Sequence, residues 1–573
     1  MKEIIISNLP EIVKNKEALS APGDRDKWTA VEYETGEIKG TMLYADYPTR
    51  PEPIVLSPNV KGWHKIYLGR MDGCDYIRLS SEETYTFFCN CQNTYRIAKT
   101  QQYEYAEEML WQCADMTGED IILDKHPKQS YDVALLWIRF IPMTDEEVAA
   151  YKEYINPEGH RNLHVHYDND SNLGEGSEKI EHTRYRLMQV KHDDVKICTQ
   201  EVTLDHNDTG PHAADAKRLG GTMILYDDEN RKLAPKLAEV QKGRLDMLHG
   251  WGIKVYAGMR TSIASCVGRE PFCATHPEYH IYTRDGRRVN VCSYAYPEVQ
   301  QHTVDLLKKS MKHGFDGITL ICHRGVHLGF EQPVLDEVAR RYDGLDARRL
   351  PMADERLTSV WCEFFTQFVR RLREQIRMPD GSPVPVNVMI GFSPETAKKN
   401  GIDIEKLAAE GLIDHVSQDS MDHYEKVEEY LAEDGLIDLD KYAERVKEYF
   451  TVYRDISDYW DQTRGGKTDG TCAGAEKLVA ISEKYGIEFF AGITTLHHPT
   501  IQHYINWIER LKALGVKNFS CINHCHFRGN QPILRVIGKA GREKLDPESY
   551  DLKYHRILKI DGMDISTYMP QWS

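Results

Sequence analysis

The sequence lacks a long apolar run at its amino terminus. The first twenty residues carry charges at Glu3, Glu11, Lys14 and Lys16. A segment this polar does not read as a signal peptide or as a membrane span. We therefore expect a cytoplasmic protein that does not insert into a membrane.

Positive charge is also scarce. The chain has 72 Lys and Arg residues against 89 Asp and Glu residues, so its formal net charge is −17. An acidic surface repels nucleic acid and anionic lipid, which excludes nonspecific binding to either. A neutral ligand fits this charge better, and the 32 Tyr and 9 Trp residues provide rings that can stack on sugar faces.

Several common site signatures are missing. The 13 cysteines are odd in number and have no regular short spacing, which favours reduced thiols over a disulfide framework. The Cys89-x-Cys91 pair has no second pair at zinc-ribbon spacing. Gly391-Phe-Ser393 lacks the full nucleophile elbow, and there is neither a phosphate-binding loop nor a dinucleotide fingerprint. No cofactor is predicted.

The 573 residues are enough for two domains, and the first part of the chain has strand-like periodicity. Short apolar runs such as Lys65–Gly69 and Ala134–Phe140 alternate with turn signals. This pattern predicts a β-sandwich over residues 1–165. The polar residues that follow predict a linker or loop over 166–193.

From Asp194 onward, short β-rich runs alternate with amphipathic helices, which is typical of a parallel sheet with helical crossovers. This pattern predicts an α/β fold, namely a (β/α)8 TIM barrel with a carboxy-terminal extension over 194–573. An open doubly wound sheet is the alternative. The eight predicted strands are Val195–Glu201, Ile253–Arg260, Phe315–His323, Pro385–Phe392, Ile413–Asp419, Thr451–Ile456, Ile487–Thr494 and Asn518–His524.

The helices between these strands have apolar residues at helical spacing. Their predicted limits are Gln300–His313, Arg356–Ile376, Ala473–Tyr485 and Thr500–Leu514. Gly314, Gly486 and Gly515 follow three of them, where a residue in the left-handed conformation ends a helix.

In such a barrel, function lies at the carboxyl ends of the strands. Three carboxylates are expected there, namely Glu331, Asp419 and Glu201. Cleavage of a glycosidic bond needs one protonated and one ionised carboxyl group. Glu331 and Asp419 are the favoured pair, and Glu201 is the rival for either role, because alternation puts it on the same strand face as Ile197 and Thr199. Each carboxylate could equally form a loop salt bridge.

Basic side chains accompany these carboxylates. Arg260 and Arg324 could clamp substrate hydroxyl or carboxylate groups, or serve as structural ion-pair partners. The histidines expected to contact substrate are His323, His327, His498 and His524. The segment Cys521–His526 offers zinc-type ligands, but alternation along a strand sends its cysteines and histidines to opposite faces, so no metal is predicted.

A series of short motifs runs in order through the centre of the chain, comprising His276-Pro-Glu278, Thr283-Arg-Asp-Gly286, Ala295–Val299, Gly314–Gly317, and His323-Arg-Gly325 followed by Phe330-Glu331. This series resembles the family-ten-like glycosyl-hydrolase barrels with an amino-terminal β-sandwich. The resemblance implies glycosidase activity and supports Glu331. The chain departs from it where Cys322 replaces an aspartate of many relatives, and where the predicted fourth strand lacks an Asn-Glu pair.

These features predict a glycoside hydrolase that acts on an oligosaccharide or a small glycoside. Two alternatives remain open. One is a carbohydrate-binding barrel without turnover, which the two departures suggest. The other is a metal-dependent sugar isomerase or lyase, which the histidines suggest.

Overall fold

The structure is a computed structural model of the whole chain. It describes residues 2–20, 26–46, 49–71, 75–82, 85–88, 105–125, 132–154, 161–167, 194–201, 242–261, 271–322, 328–391, 393–418, 421–424, 432, 434, 436–441, 461–464, 468–493, 501–521, 553–561 and 563–564. Among these residues, no helix combines the length and the apolar character needed to cross a membrane.

Eight parallel strands form a closed barrel. The ring closes between its first and eighth strands, where Val165 pairs with Cys521. Every residue of the fourth and fifth strands is buried, as expected for parallel strands covered on both faces. In order, the barrel strands are Leu163–Tyr167, Val195–Glu201, Lys254–Arg260, Gly317–Ile321, Val386–Ile390, His415–Gln418, Glu488–Gly492 and Asn518–Cys521.

The closed parallel barrel is therefore confirmed, but the strand order needs a correction. Leu163–Tyr167 is the first strand and was not predicted, so Val195–Glu201 becomes the second. The predicted strand Thr451–Ile456 lies outside the described residues. The sixth barrel strand, His415–Gln418, pairs directly with the seventh, Glu488–Gly492, so the ring closes without a strand between them.

The corrected strand order changes which strand must be checked for the missing Asn-Glu pair. The absence was read from Pro385–Phe392, which contains the fifth strand rather than the fourth. The fourth strand, Gly317–Ile321, is followed by Cys322 and His323, and it also lacks the pair. The departure from many retaining barrels therefore remains after renumbering.

Helices surround the barrel close to their predicted limits. Gly314, Gly486 and Gly515 have φ angles of 97°, 70° and 91°, which confirms their helix-ending role. The α-helices are Asp145–Tyr154, Pro271–Thr275, Pro297–Met311, Gln332–Arg341, Glu355–Gln375, Pro394–Lys399, Ile404–Ala409, Thr468–Tyr485 and Ile501–Ala513, with a further helix within 242–250. Short 3-10 helices are Leu9–Ile12, Lys16–Ala18, Pro277–Tyr279 and Ala347–Arg349.

Antiparallel sheets make up the amino-terminal part. The larger sheet contains Ile4–Ile6, Thr29–Thr35, Lys39–Ala45, Trp63–Arg70, Tyr105–Asp115, Val133–Pro142, Lys553–Ile560 and Met563–Asp564. The smaller sheet contains Ile54–Leu56, Asp75–Leu79, Thr86–Phe88 and Ile121–Lys125. Leu68 and Leu135 of the larger sheet share a hydrophobic cluster with Ile77 and Leu123 of the smaller one. A β-sandwich in the strict sense stays a prediction.

One strand of the larger sheet comes from the carboxy-terminal end of the chain. Lys553–Ile560 pairs with Thr29–Thr35 on one side and with Tyr105–Asp115 on the other. It falls in the range that the sequence assigned to an extension of the barrel. The chain therefore returns to the amino-terminal sheet after completing the barrel, while the exact domain limits stay a prediction.

Two hairpins lie between barrel strands and helices. His280–Tyr282 pairs with Arg288–Cys292, and Met421–Tyr424 pairs with Asp461–Arg464. The first hairpin belongs to the insertion between the third strand and the helix Pro297–Met311, defined here by residues 271–296. This insertion packs beside the loop that follows the fourth strand, since the Phe330 N–H donates to the Tyr282 carbonyl at 2.8 Å.

Candidate functional site

The interior of the barrel carries a connected series of polar side chains. The His164 Nε2 atom lies 2.7 Å from the Thr199 hydroxyl, which is 2.7 Å from the Thr319 hydroxyl. The Asn387 amide donates to the Ser417 hydroxyl at 2.9 Å. Burial lowers the pKa of His164 to about 3, so its ring is neutral near pH 7. Hydrogen bonds therefore fill the middle of this barrel.

A second polar group lies nearer the amino ends of the strands. The Tyr256 hydroxyl is 2.9 Å from His415 Nε2, and His415 Nδ1 is 3.2 Å from a Glu488 carboxylate oxygen. Lys196 also pairs with Glu488. Contact with His415, followed by that with Lys196, lowers the pKa of Glu488 to about 2. This end of a barrel usually serves stability rather than catalysis, and the contacts of Glu488 with Lys196 and His415 agree with that role.

Glu331 lies beyond the carboxyl end of the fourth strand, directly before the helix Gln332–Arg341. Its side chain is completely buried. The Ser293 hydroxyl donates to Glu331 Oε1, and the Gly329 N–H donates to the same oxygen at 3.2 Å. Among the residues described, no side chain or backbone group hydrogen-bonds to Glu331 Oε2.

The loop before Glu331 is held in place from two sides. The Arg284 guanidinium lies 4.4 Å from the centre of the Phe330 ring and donates to the Leu350 carbonyl at 2.6 Å. The Trp361 indole donates to the Gly329 carbonyl at 3.0 Å. An added Cβ on Gly329 would lie 2.6 Å from the Tyr282 carbonyl oxygen, so the backbones approach too closely for any larger residue. These contacts hold the backbone before Glu331 in its buried conformation.

This setting changes the acidity of Glu331. Burial raises its pKa from 4.5 to about 7, against the opposing effect of the Ser293 and Gly329 donors. A helix amino terminus normally favours an anionic side chain, but here the loss of solvent contact outweighs it. The carboxyl group is therefore largely protonated below neutral pH, as a general acid must be.

The other two predicted carboxylates are less well defined. Glu201 ends the second barrel strand and pairs through its backbone with Gly258, but its side chain lies outside the described residues. Asp419 also lies outside them, directly after the sixth strand, His415–Gln418. The expected strand face is confirmed for two neighbours of Glu201, because Ile197 joins an interior cluster and Thr199 joins the interior hydrogen bonds.

The structure describes one of the predicted substrate-binding residues. Arg260 is half-buried at the end of the third strand, where it pairs through its backbone with Ile321. The remaining members of this set all lie outside the described residues, namely His323, Arg324, His327, His498 and His524. Their roles stay predictions.

Two residues were not found from the sequence. Ser293 is the direct partner of Glu331, but nothing in its local sequence marks it, because the contact depends on the fold of the insertion. His166 is completely buried on the first barrel strand, on the same face as His164. The alternation of Leu163, His164, Val165 and His166 is a strand signal that could have identified it.

Of the metal ligands that the sequence suggested, Cys521 alone lies within the described residues. Cys521 is buried in the cluster between strands and helices, and His524, Cys525 and His526 lie outside the described residues. None of the described cysteines forms a disulfide. A different set of ligand atoms does converge, at Cys273, His280 and Cys292 in the insertion.

No family model matches the chain, and no curated protein matches it. The chain is similar to several solved structures, and three of them follow. The glycoside hydrolase domain of PelA from Pseudomonas aeruginosa is 12% identical, covers 64% of this chain and 98% of its own, and has a TM-score of 0.29. The α-galactosidase TtGalA from Thermus thermophilus is 10% identical, covers 94% and 99%, and has a TM-score of 0.33.

The third is the endo-1,4-β-D-xylanase 10B from Clostridium thermocellum, comprising CBM22-1 and GH10 modules. It is 11% identical, covers 87% of this chain and 86% of its own, and has a TM-score of 0.29. TM-scores and identities this low carry no argument about fold or activity. The barrel assignment rests on the strand pairing described above.

Proposed function

We propose that this chain is a glycoside hydrolase and that Glu331 is its general acid. The observation that carries the proposal is the position of this carboxyl group beyond the carboxyl end of the fourth strand of a closed parallel barrel, and burial there raises its pKa to about 7. A general acid works best when its pKa lies close to the working pH, because it then keeps its proton and still transfers it readily. An exposed glutamate near 4.5 would be ionised instead.

A second, ionised carboxylate is needed to act as nucleophile or base. Asp419 is our first choice and Glu201 the second. The support is topological, since Asp419 follows the sixth strand and Glu201 ends the second, and all strands of a parallel barrel end at the same face. Alternation after His415 and Ser417, which both face the interior, predicts the same orientation for Asp419.

The substrate class follows from charge and composition. The acidic chain favours a neutral ligand, and an oligosaccharide or small glycoside is the proposed substrate. Arg260, His323, Arg324, His327, His498 and His524 are proposed to bind its hydroxyl groups.

A second function is favoured by the same carboxyl group. Glu331 has no exposed surface, and a group closed to solvent cannot protonate a leaving oxygen unless the insertion or the loop moves. If neither moves, Glu331 is a structural residue and the protein is a carbohydrate-binding barrel without turnover. The two functions differ first in whether the wild type cleaves any glycoside, and then in whether Glu331→Gln loses that activity.

The test is hydrolysis of a panel of aryl α- and β-glycosides by the wild type, Glu331→Gln and Asp419→Asn. Glu337→Gln is the matched control, because Glu337 lies on the helix that follows Glu331 but pairs with Arg340 and Arg341 at the surface. The hydrolase proposal predicts a loss of about 100-fold or more in kcat for Asp419→Asn, a loss for Glu331→Gln that grows as the aryl leaving group becomes less acidic, and no loss for the control.

Product analysis separates the remaining alternative. A hydrolase releases a sugar that has gained one water, a lyase releases an unsaturated sugar, and an isomerase rearranges a free sugar without changing its mass. Wild-type protein that binds sugars without cleaving any glycoside would favour the binding function. Full activity in Glu331→Gln would refute the assignment of the acid.

A further inference from the structure

Two cysteines and one histidine of the insertion converge at one point, and none of them is among the proposed glycosidase residues. The ligand atoms of Cys273, His280 and Cys292 all lie within 4.8 Å of one another, and Cys273 Sγ is 3.5 Å from His280 Nε2. Around a tetrahedral zinc ion, with bonds of about 2.3 Å to sulfur and about 2.0 Å to nitrogen, neighbouring ligand atoms lie roughly 3.5–3.8 Å apart. The Cys273–His280 distance of 3.5 Å matches this arrangement, and the limit of 4.8 Å leaves about 1 Å of adjustment for the other pairs.

The backbone fixes this convergence. His280 and Cys292 are direct partners across the hairpin, so their side chains share one face. Cys273 comes from the helix Pro271–Thr275, and the Ser293 N–H donates to the Tyr279 carbonyl at 2.8 Å, which ties the end of the hairpin to its beginning. Three separate elements therefore present one ligand each.

The chemistry of this set is selective. Thiolate and imidazole ligands suit zinc and similar soft or borderline cations, and they suit magnesium or calcium poorly. All three side chains are buried, and three protein ligands leave the fourth position of a tetrahedral zinc ion for a further ligand. The simpler alternative is a polar packing cluster, in which His280 Nε2 donates to the Cys273 carbonyl at 2.6 Å and the thiols stay protonated.

We propose that Cys273, His280 and Cys292 bind one zinc ion that fastens the insertion. The proposal stands apart from the glycosidase assignment, because it concerns a buried structural site. It nevertheless has a consequence for Glu331. Cys292 directly precedes Ser293, whose hydroxyl donates to Glu331, and the strand that begins at His280 ends at Tyr282, whose carbonyl accepts from Phe330. The zinc ion would thus fix Ser293 and Tyr282, which hold the loop that ends at Glu331.

The test is the zinc content of the purified full-length chain by mass spectrometry, after loading with zinc and dialysis against a chelator of micromolar affinity. We expect about one zinc per chain in the wild type. Cys273→Ser and Cys292→Ser should each weaken zinc binding at least about tenfold, since even outer partners of a metal ligand contribute that much. Cys362→Ser is the control, a buried cysteine on the helix Glu355–Gln375.

Cobalt provides a measurement that needs no variant. Thiolate-bound cobalt has an intense charge-transfer absorption in the near ultraviolet, and tetrahedral cobalt has a visible band. Both should appear at about one equivalent and disappear when zinc is added. A wild-type chain that retains no zinc and gives no thiolate-to-cobalt band would overturn the proposal. Zinc content unchanged in both Cys273→Ser and Cys292→Ser would also overturn it.

Discussion

Replacing Glu331 with glutamine should make the stability of the protein less dependent on pH. The folded-state pKa of Glu331 is raised from 4.5 to about 7, so the native state holds its proton more tightly than the unfolded chain does. The stability contributed by this proton is fully present below about pH 4.5 and is lost as the pH rises through about 7. A glutamine has no proton to lose.

The size of the effect follows from the shift. A change of about 2.5 pKa units at about 1.36 kcal/mol per unit gives about 3 kcal/mol in the free energy of unfolding. For a cooperative unit of roughly 400 residues, this corresponds to about 4 °C in Tm. We expect Glu331→Gln to be more stable than the wild type by about 1 kcal/mol at pH 5 and by about 3 kcal/mol at pH 8.

The assay is thermal unfolding of both proteins from pH 5 to pH 8 at constant ionic strength. Other titrating groups contribute equally to both proteins and cancel in the difference. Glu337→Gln is again the control. The Arg340 and Arg341 contacts lower the pKa of Glu337 to about 2, so it gains its proton only below this range and its difference from the wild type should stay flat. If the difference in stability between Glu331→Gln and the wild type also stays constant from pH 5 to pH 8, the raised pKa of Glu331 is refuted.

Three further variants probe the surrounding structure. Ser293→Ala removes a donor that lowers the pKa of Glu331, so the basic limb of the kcat/KM profile should move to higher pH. Tyr256→Phe removes the contact with His415 and should cost about 1 kcal/mol in chemical denaturation, with kcat unchanged. Gly317→Ala places a Cβ 2.6 Å from the Tyr256 ring and should cost about 1–3 kcal/mol in the same assay.

The repeating part of the fold was predictable because strand and helix periodicities are local. The helix-ending glycines, such as Gly314 and Gly486, and the buried fifth strand were correctly located. The first barrel strand was missed because it has only five residues, two of them histidines that resemble a polar loop unless the alternation is recognised. Lys553–Ile560 was missed because its pairing with Thr29–Thr35 joins opposite ends of the chain.

The candidate site could be predicted only in part. Glu331 was identified from its motif, but its burial and its contact with Ser293 depend on how the insertion packs against the loop. The convergence of Cys273, His280 and Cys292 is invisible in the sequence for the same reason, because a helix and a hairpin bring together residues that are not close neighbours along the chain.

The central claim is that Glu331 protonates the leaving group of a glycoside. The most direct test is how the loss of kcat/KM in Glu331→Gln depends on the acidity of the leaving group. The dinitrophenolate group of a dinitrophenyl glycoside departs without help from an acid, whereas the alcohol of an alkyl glycoside must receive a proton as it departs. We predict that kcat/KM falls by about 100-fold or more on the alkyl glycoside and by less than about tenfold on the dinitrophenyl glycoside. An equal loss on both substrates, or no loss on either, would contradict the claim.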